Sequence, residues 1–386
     1  MNKGYSSVYR LTGGRSRNMY TEQELVRIAR RENNNRRKYL VVNRLQGKHI
    51  PVKPCEALAM FRALADTVRG VYGREKILVI GFAETATAIG AAVAVELGAD
   101  YMQTTREELP GVGYLYFSEE HSHATEQKLV RDDLDGAAGA LDRILFVEDE
   151  VTTGKTILNI IGILKRQYGK KISFSVASVL NGMDKTALET YRDNGIELFW
   201  LVKTDHSAYT RIAEAYRGDG TYIVCRGSGT GIGSIGAYGR MDTRRLVHPA
   251  EYQRFCESFY QDLVSREKMD GAQSILVLGT EEYMYPALYT AGRLEAQGRN
   301  VRFHATTRSP IAVSTEEDYP LHTRYELCSL YDSRRITYIY DLRKYDMVVI
   351  ITDAAGKMTE GICSLVHALR LCGNEQIVLA QCKETS

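Results

Sequence analysis

The chain has 386 residues, of which 44% are hydrophobic and 25% are charged, and its formal net charge is only +2. These values are ordinary for a globular protein of two or three domains and exclude a fibrous or disordered chain. They give no electrostatic reason to expect a nucleic acid or a membrane as partner. The sequence has no run of about 18 apolar residues, so it predicts no membrane span. Seven scattered cysteines without a CxxC pair predict reduced thiols in a cytoplasmic protein.

The predicted elements begin with a polar arm over residues 1–36, which contains a short helix near Glu22–Arg31. Beyond the arm, apolar runs predict strands, and apolar residues at helical spacing predict helices between them. Strands are expected at Lys38–Val42, Lys76–Gly81, Asp100–Thr105, Gly113–Phe117, Arg143–Val147, Ile172–Leu180 and Ile196–Val202. Helices are expected at Pro54–Gly70, Glu84–Gly98, Gly154–Tyr168 and Asp184–Asn194. This alternation predicts an α/β fold with a mostly parallel sheet flanked by helices.

The segment Arg226–Arg240 reads RGSGTGIGSIGAYGR and is dense in glycine. It neither follows a clear predicted strand nor precedes a helix, so it fails the context that a dinucleotide-binding fingerprint requires. We interpret residues 216–245 as a glycine-rich linker or ordered loop. This linker would separate a first domain over residues 37–215 from a second domain over residues 246–386.

The second domain repeats features of the first in the same order. ILVIG from Ile77 matches ILVLG from Ile275, and a Glu follows three residues after each final Gly, at Glu84 and Glu282. A helix and a strand ending in Thr-Thr-Arg follow in both domains. Further on, VIITDAAGKMTE is a shorter match to LFVEDEVTTGKT, with Gly-Lys in both and an Asp before it. We infer two similar α/β domains, of which the second is degenerate at the acids and threonines.

The stretch RILFVEDEVTTGKTILNIIGIL, from Arg143 to Leu164, carries the clearest chemistry. A parallel strand delivers its carboxylates to the carboxyl edge of the sheet, where open α/β folds bind ligands. The polar loop that follows opens onto a helix, whose first backbone N–H groups and dipole favour a phosphate. The carboxylates repel a phosphate but accept hydrogen bonds from vicinal sugar hydroxyls. A ribose 5-phosphate satisfies both groups.

A nucleoside-triphosphate loop and a helix cap are two other interpretations of this stretch. A nucleoside-triphosphate loop requires Gly five residues before Gly154, and that position is Asp149. An acidic helix N-terminus capped by threonine is a purely structural alternative. Three acids that close an apolar strand are poorly explained by a cap alone.

A hydrophobic run, two acids and T-T-G-x-T resemble the phosphoribosyl-pyrophosphate signature of type I phosphoribosyltransferases. Together with GKHIPVKP, GFAETATAIG, SEEHSHAT and TTRSP, they resemble a two-domain bacterial family over residues 35–386. That family joins a phosphoribosyltransferase domain to a TRSP domain and is encoded in tellurium-resistance-type operons. Glu148 stands where aspartate is commoner, and Lys155 stands where a small residue is commoner. The longer Glu would shift the placement of the sugar.

The resemblance implies a role for each matching segment. Glu148 and Asp149 would hold the ribose hydroxyls as the catalytic acid pair, and Asp149 would assist a magnesium ion held mainly by the substrate. Phe82–Thr87 would form the pyrophosphate loop, and Ser118–Thr125 would lie in a mobile hood that excludes water. The residues implied to bind substrate are Phe82, Ala83, Glu84, Thr85, Ala86 and Thr87 in the pyrophosphate loop, and Thr152, Thr153, Gly154, Lys155 and Thr156 around the 5-phosphate.

Further candidates follow from their positions in the sequence. His121 and His123 are two residues apart, so on an extended segment both face one side and could donate to pyrophosphate or the incoming base. They are equally explained as exposed loop residues, and no nearby His or Cys supports a zinc site. Lys48 and His49 follow a glycine in the manner of a phosphate-contacting turn, and Arg106 is a candidate anion contact, although surface positions explain all three. The second domain either binds another nucleotide-like substrate or only supports the first domain, and its candidate binding residues are Thr307, Arg308 and Ser309.

We therefore expect an Mg²⁺-dependent phosphoribosyltransferase that transfers ribose 5-phosphate from phosphoribosyl pyrophosphate to a small base-like acceptor. The resemblance implies a biosynthetic pathway linked to stress or tellurite resistance. A non-catalytic sensor of the same ligand, or a pyrophosphokinase or hydrolase of activated sugars, would use the same loop. The sequence leaves a homodimer open and does not name the acceptor.

Overall fold

The computed structural model describes residues 20–383 except 33, 35, 36, 118–126, 170, 228–231, 239, 240, 268, 270, 357 and 358. Its first part contains a parallel sheet with helices packed on it, as the alternating sequence pattern predicts. The strands are β1 (Val26–Arg30), β2 (Tyr39–Asn43), β3 (Ile77–Gly81), β4 (Asp100–Gln103), β5 (Tyr114–Phe117), β6 (Gln127–Val130), β7 (Arg143–Val151), β8 (Ser173–Asn181) and β9 (Glu197–Lys203). The helices are α1 (Glu22–Leu25), α2 (Pro54–Val68), α3 (Thr87–Leu97), α4 (Arg131–Ala137), α5 (Lys155–Tyr168), α6 (Lys185–Asp193) and α7 (Tyr209–Ala215).

The second part has a parallel sheet of the same kind, and the predicted α/β fold is confirmed in both parts. Its strands are β10 (Thr221–Val224), β11 (Gly233–Tyr238), β12 (Ser274–Gly279), β13 (Asn300–Ala305), β14 (Thr323–Cys328), β15 (Ile336–Tyr340), β16 (Met347–Thr352) and β17 (Ile377–Lys383). Its helices are α8 (Pro249–Arg266), α9 (Tyr285–Ala296) and α10 (Glu360–Leu371). Pro54 and Pro249 occupy the first turns of α2 and α8, where the missing N–H costs nothing.

The two sheets have the same strand order. The first runs β4-β3-β7-β8-β9, and the second runs β13-β12-β16-β17-β11, with every pairing parallel. The strand registers place Asp353 directly after β16 at the position that Asp149 holds in β7. The repeat read from the sequence is thus present in three dimensions. The two sheets differ at one edge strand. β9 comes last in the chain among the strands of its sheet, whereas β11 comes first among the strands of its own.

Part of the glycine-rich segment forms a strand. Residues Gly233–Tyr238 form the edge strand β11, which pairs in parallel with β17. Glycine weakens the strand signal of a sequence, so the pairing with β17 rather than the local composition decides the structure of this segment. The expectation of a linker or loop throughout this segment is therefore corrected.

The predicted helix near Glu22–Arg31 is also corrected. Only Glu22–Leu25 is helical, with Thr21 and Glu24 in a capping box, and Val26–Arg30 continues as β1. β1 pairs antiparallel with β2, so that Val26 and Ile28 contribute to the buried face. Pairing with β2 supplies backbone partners that outweigh the weak helical preference of a short basic segment.

The two domains pack against each other through equivalent elements. α2 and α3 of the first domain contact α9 and α8 of the second, and one apolar core runs through all four helices. Val52, just before α2, forms paired backbone hydrogen bonds of 2.9 Å with Phe303 on the edge strand β13. Val247, just before α8, forms the equivalent pair of 2.8 and 2.9 Å with Tyr101 on β4. Each domain therefore covers an exposed sheet edge of the other.

No helix among the described residues is both long and apolar enough to cross a membrane.

Two smaller hydrophobic cores accompany the large one. One lies between the second sheet and α10. The other joins the β1–β2 hairpin to the segment around Ile311, Val313 and Tyr319 of the second domain. The hairpin is thus fixed to the second domain as well as to the first.

Candidate functional site

A cavity of about 280 Å³ lies at the carboxyl end of the first sheet, between the two domains and beneath the β1–β2 hairpin. Parallel strands that end at one edge bring separate loops together there. The cavity is lined by Arg31, Arg37, Tyr39, Leu40, Val41, His49, Phe82, Ala83, Glu84, Thr85, Arg106, Gln127, Glu148, Asp149, Glu150, Val151, Thr152, Thr153, Gly154, Lys155, Thr156, Ile157, Arg308, Ser309 and Pro310.

The acid pair Glu148–Asp149 lies at the end of β7, whose residues Arg143–Val147 are buried in the centre of the sheet. Asp149 accepts a hydrogen bond of 2.9 Å from the hydroxyl of Thr85, which lies on the loop after β3. Burial and the neighbouring Glu150 carboxylate raise the pKa of Asp149 above its ordinary value. The site therefore keeps a carboxylate that a ligand's hydroxyl groups or a cation would stabilise.

The 152–156 loop connects the acid pair to α5, which begins at Lys155. Gly154 has a φ of +69°, and a Cβ built there would lie 2.6 Å from Cε2 of Tyr191 and 2.7 Å from Cε of Met183. The Tyr191 hydroxyl donates to the Gly154 carbonyl at 2.6 Å. Glycine is thus required by both backbone conformation and packing. The turn brings the N-terminus of a 14-residue helix to the cavity wall, and the first backbone N–H groups of a helix have no partner within it.

The 82–87 loop forms the opposite wall, and its residues Phe82, Ala83, Glu84 and Thr85 line the cavity. Ala83 donates its N–H to the Thr104 hydroxyl at 2.8 Å and accepts from the Gln127 amide at 2.5 Å. The predicted loop residues Ala86 and Thr87 are buried at the start of α3 instead of lining the cavity. They support the loop from behind.

Lys48 and His49 take different positions. Lys48 is fully buried outside the cavity lining, where its Nζ donates to the carbonyls of Glu281 and Thr306 at 2.8 and 3.0 Å and lies 3.2 Å from Glu84. This placement corrects the expectation that Lys48 contacts phosphate, because its ammonium already serves the domain interface. His49 does line the cavity, and neither ring nitrogen has a hydrogen-bond partner among the described residues.

His49 is therefore a buried polar side chain at this cavity whose two ring nitrogens are open to a ligand. Burial and the nearby Lys48 ammonium lower the pKa of His49 to about 3, so the imidazole is neutral at physiological pH. A neutral imidazole offers one N–H donor and one acceptor. An unsatisfied buried imidazole costs stability unless a ligand or water completes its hydrogen bonds.

Part of the cavity comes from the β1–β2 hairpin, which the sequence analysis had assigned to a polar arm and a strand. Arg37 donates to both carboxylate oxygens of Glu150 at 2.6 and 2.7 Å, and its guanidinium lies 4.5 Å from the ring centre of Tyr39. The Tyr39 hydroxyl is 2.9 Å from Nδ1 of His206. None of these residues was among the site residues predicted from the sequence. The sequence feature that could have indicated them is an aromatic residue, Tyr39, two positions after the second of two consecutive arginines.

The second domain supplies the remaining wall. Arg308 and Ser309, predicted as candidates of the second domain, line the first domain's cavity, as does Arg106. Thr307 is fully buried and donates its hydroxyl to Glu84 at 2.7 Å. The predicted hood residues Ser118–Thr125, with His121 and His123, lie outside the described residues.

In the second domain, the position equivalent to the acid pair of the first domain is occupied by protein side chains. Asp353 accepts a hydrogen bond of 2.7 Å from Arg244 and one of 2.6 Å from the Tyr331 hydroxyl. Arg244 lies three residues before Val247, just as His49 lies three residues before Val52. A guanidinium therefore neutralises the acid of the second domain from the position where the first domain has a neutral imidazole. The second domain, which has lost the acid pair in its sequence, thus also has its remaining acid neutralised by a protein side chain in the structure.

Comparison with known proteins is consistent with this geometry. A family model described as phosphoribosyl transferase matches residues 25–206. A model described as the TRSP domain C-terminal to that domain matches residues 245–369. None of the curated proteins matches this chain.

Solved structures of adenine phosphoribosyltransferases resemble the chain at low identity. The enzyme from Rhodothermus marinus is 15% identical, with 47% of this chain and 96% of that chain covered and a TM-score of 0.35. The enzyme from Leishmania tarentolae is 14% identical, with coverages of 49% and 88% and a TM-score of 0.35. The Giardia lamblia enzyme complexed with 9-deazaadenine is 16% identical, with coverages of 48% and 96% and a TM-score of 0.35. These likenesses carry no conclusion about the substrate.

The protein is a phosphoribosyltransferase, and its cavity lies at the carboxyl end of the first domain's sheet, with one wall from the second domain. The chain belongs to the two-domain family in which a TRSP domain follows the phosphoribosyltransferase domain, as its sequence motifs predict.

Proposed function

We propose that the first domain transfers ribose 5-phosphate from phosphoribosyl pyrophosphate to a base-like acceptor and releases pyrophosphate. One observation carries this proposal. The acid pair, the 152–156 loop and the 82–87 loop line one cavity, although they follow two different strands. A ligand with two anionic ends and a hydroxyl-bearing centre matches that division of groups.

Each end of the substrate has a matching wall. The 5-phosphate would accept hydrogen bonds from the α5 N-terminus and the hydroxyls of Thr152, Thr153 and Thr156. The ribose hydroxyls would donate to Glu148 and Asp149. The pyrophosphate would lie along the 82–87 loop, within reach of the Arg106 side chain, with His49 offering a neutral N–H donor.

The residues present fit a magnesium ion that is held mainly by the substrate. Glu148 and Asp149 provide hard carboxylate oxygens of the kind Mg²⁺ prefers. Within the described part of the chain, no group of three or more His, Cys, Asp or Glu residues is arranged to hold a metal alone. When bound, Mg²⁺ would neutralise charge on the departing pyrophosphate oxygens.

In the transfer, the bond from ribose C1 to the acceptor nitrogen forms while the bond from C1 to the pyrophosphate oxygen breaks. Pyrophosphate leaves with the bonding electron pair, the acceptor nitrogen releases its proton to the departing pyrophosphate or to water, and C1 acquires oxocarbenium-like positive character, as in glycoside chemistry. The carboxylates below the ribose favour that charge electrostatically. The acceptor would enter beside Tyr39, whose ring lies at the cavity wall formed by the hairpin.

We also propose that this activity serves a pathway linked to tellurite resistance, which rests on the family resemblance alone. A strain that depends on the chain should lose growth on tellurite when Asp149→Asn replaces the wild type at equal protein level. Equal growth of the two strains would refute the link without touching the proposed chemistry.

The chemistry is tested by isotope exchange between pyrophosphate and phosphoribosyl pyrophosphate, with Mg²⁺ and with a panel of nucleobases and related acceptors. Calorimetric titration with phosphoribosyl pyrophosphate and Mg²⁺ is measured on the same material. We expect binding in the micromolar range typical of such substrates and exchange that depends on an acceptor. Binding without exchange would instead make the protein a sensor, and released ribose 5-phosphate would indicate a hydrolase. Absence of binding to folded protein would refute the assignment of the site.

A further inference from the structure

Two glutamates with equivalent positions cross the domain interface in opposite directions. Glu84 of the first domain accepts from the Thr307 hydroxyl at 2.7 Å and from the Arg308 N–H at 2.9 Å. Glu282 of the second domain accepts from the Thr105 hydroxyl at 2.7 Å and from the Arg106 N–H at 3.0 Å. The Thr-Thr-Arg segment of each domain thus holds the glutamate of the other. This reciprocity gives the motif repeated in the sequence a shared structural role.

The two glutamates differ in their position relative to the cavity. Glu84 lines the cavity of the first domain, whereas Glu282 lies fully buried between Arg244 and Arg308, outside that cavity. A carboxylate is electrostatically wrong for a wall that faces pyrophosphate, because like charges repel. Glu84 is therefore acceptable in this loop only while its charge is compensated.

Both domains compensate this charge, and three of the four contacts come from the second domain. Besides Thr307 and the Arg308 N–H, the Arg308 guanidinium lies 3.5 Å from the second Glu84 oxygen, and Lys48 lies 3.2 Å from the first. Burial alone would raise the pKa of Glu84, but Lys48 and Arg308 lower it to about 2. Glu84 thus remains an anion that is drawn toward the TRSP domain.

We propose that the Thr307–Arg308 segment of the TRSP domain is a positioning device for the 82–87 loop. It holds the Glu84 carboxylate toward the interface, and so sets the affinity of the first domain for the pyrophosphate end of its substrate. The inference rests on the proposed function, because it assigns pyrophosphate to this loop. It also gives the degenerate second domain a task that requires no ligand of its own.

Thr307 offers a direct test, because Thr307→Val keeps shape and burial while removing the hydroxyl that donates to Glu84. Binding of phosphoribosyl pyrophosphate with Mg²⁺, of pyrophosphate with Mg²⁺ and of ribose 5-phosphate is measured by calorimetry on the full chain. We expect the first two affinities to fall about tenfold, as the loss of one hydrogen bond to a buried charge implies. Ribose 5-phosphate, which does not reach the 82–87 loop, should bind within about twofold of wild type.

Two controls separate positioning from general damage. Thr307→Ser retains the donor to Glu84 and the acceptor for the Ser309 N–H, so it should recover most of the affinity. Thr280→Val removes an equally buried hydroxyl of the second domain, which bonds Thr352 and Tyr331. It should lower the melting temperature and leave all three affinities within about twofold.

A double-mutant cycle tests whether Thr307 acts through Glu84. In a Glu84→Gln background no charge remains to be held, so Thr307→Val should lose most of its effect on pyrophosphate affinity. Thr307→Ala replaces Thr307→Val throughout if the valine variant does not fold. Equal weakening of all three ligands, unchanged affinities, or the same effect in both backgrounds would overturn the inference. Wild-type protein that binds none of the ligands would refute the proposed function instead.

Discussion

Asp149 shows at the level of one residue how the cavity is prepared for a ligand at a cost in stability. Its carboxylate is buried beside Glu150 and has the Thr85 hydroxyl as a donor. Burial and Glu150 raise its pKa, so the folded protein binds this proton more tightly than the unfolded chain does. The contribution of the protonated form to stability is therefore complete at low pH and is lost as the pH rises through the folded-state pKa.

Asp149→Asn should separate function from stability. The amide keeps the size of the side chain but removes the charge, so we expect the affinity for phosphoribosyl pyrophosphate to fall about 10- to 100-fold. The melting temperature at pH 7 should rise above that of the wild type, and the difference should shrink in acid, where Asp149 is protonated. Calorimetric titration and thermal melts from pH 4 to pH 8 measure both effects. A lower melting temperature at pH 7 would contradict this account.

Gly154 allows a comparison within one segment of the chain. Gly154→Ala forces a Cβ against Tyr191 and Met183 at positive φ, and should cost at least about 2 kcal/mol in the free energy of unfolding. Gly162 lies inside α5, where the nearest atom to an added Cβ is Arg166 Nη1 at 3.6 Å. Gly162→Ala should therefore stabilise the protein by about 0.5–1 kcal/mol. Urea unfolding of the two variants measures both changes in the free energy of unfolding. Similar changes in the two variants would contradict the strain assigned to Gly154.

The sequence identified some site residues far better than others. The acid pair and the 152–156 loop are contiguous and are flanked by a strand and a helix, so their arrangement could be predicted locally. The burial of Lys48 could not, because its acceptors Glu281 and Thr306 lie more than 200 residues away in the chain. The same distance hid the role of Arg308. Interactions between domains leave little trace in local periodicity.

At the level of elements, the β1–β2 hairpin joins the cavity to both domains. Its Arg37 pairs with Glu150 at the end of β7, next to Asp149. On the other side, Ala312 donates its N–H to the Arg30 carbonyl and Glu32 donates to the Pro310 carbonyl, both at 3.0 Å. The hairpin therefore holds the acidic end of β7 and the Arg308–Pro310 wall in one arrangement.

Arg37→Gln should test that link. The substitution leaves Glu150 without its guanidinium partner, at a cost of about 3 kcal/mol for a largely buried pair. The uncompensated Glu150 charge should raise the pKa of Asp149 further, so the acid limb of substrate binding should move to higher pH. Arg37→Gln combined with Glu150→Gln should recover most of the stability and the original acid limb. Binding titrations across pH measure both effects, and an unchanged acid limb in the single variant would contradict the coupling.

Element prediction succeeded where each segment had its own periodicity and failed where pairing with a distant strand decided the outcome. β3, α3, β7 and α5 follow their apolar patterns closely. β1 and β11 did not stand out, because each depends on a partner strand, β2 and β17 respectively. Short strands at a sheet edge gain order from pairing and only weakly from their own composition.

For the whole molecule, the shared core leads us to expect that the two domains unfold as one thermodynamic unit. Helices of both domains contribute to one apolar core, and buried charges such as Arg308 have partners on both sides of the interface. We expect scanning calorimetry to show one transition with a van't Hoff enthalpy close to the calorimetric enthalpy. Two resolved transitions, with the first domain melting separately, would contradict this expectation.

The position of β11 in the second sheet has a consequence for how the protein is made. β11 leaves the ribosome before any other strand of its sheet, yet β17, the final strand of that sheet in the chain, is its neighbour. It must therefore wait for this partner through the synthesis of roughly 140 residues, about 7 to 28 seconds at about 5–20 residues per second. A glycine-rich composition with few large apolar side chains suits a strand that is exposed for so long, because it offers little to a wrong partner.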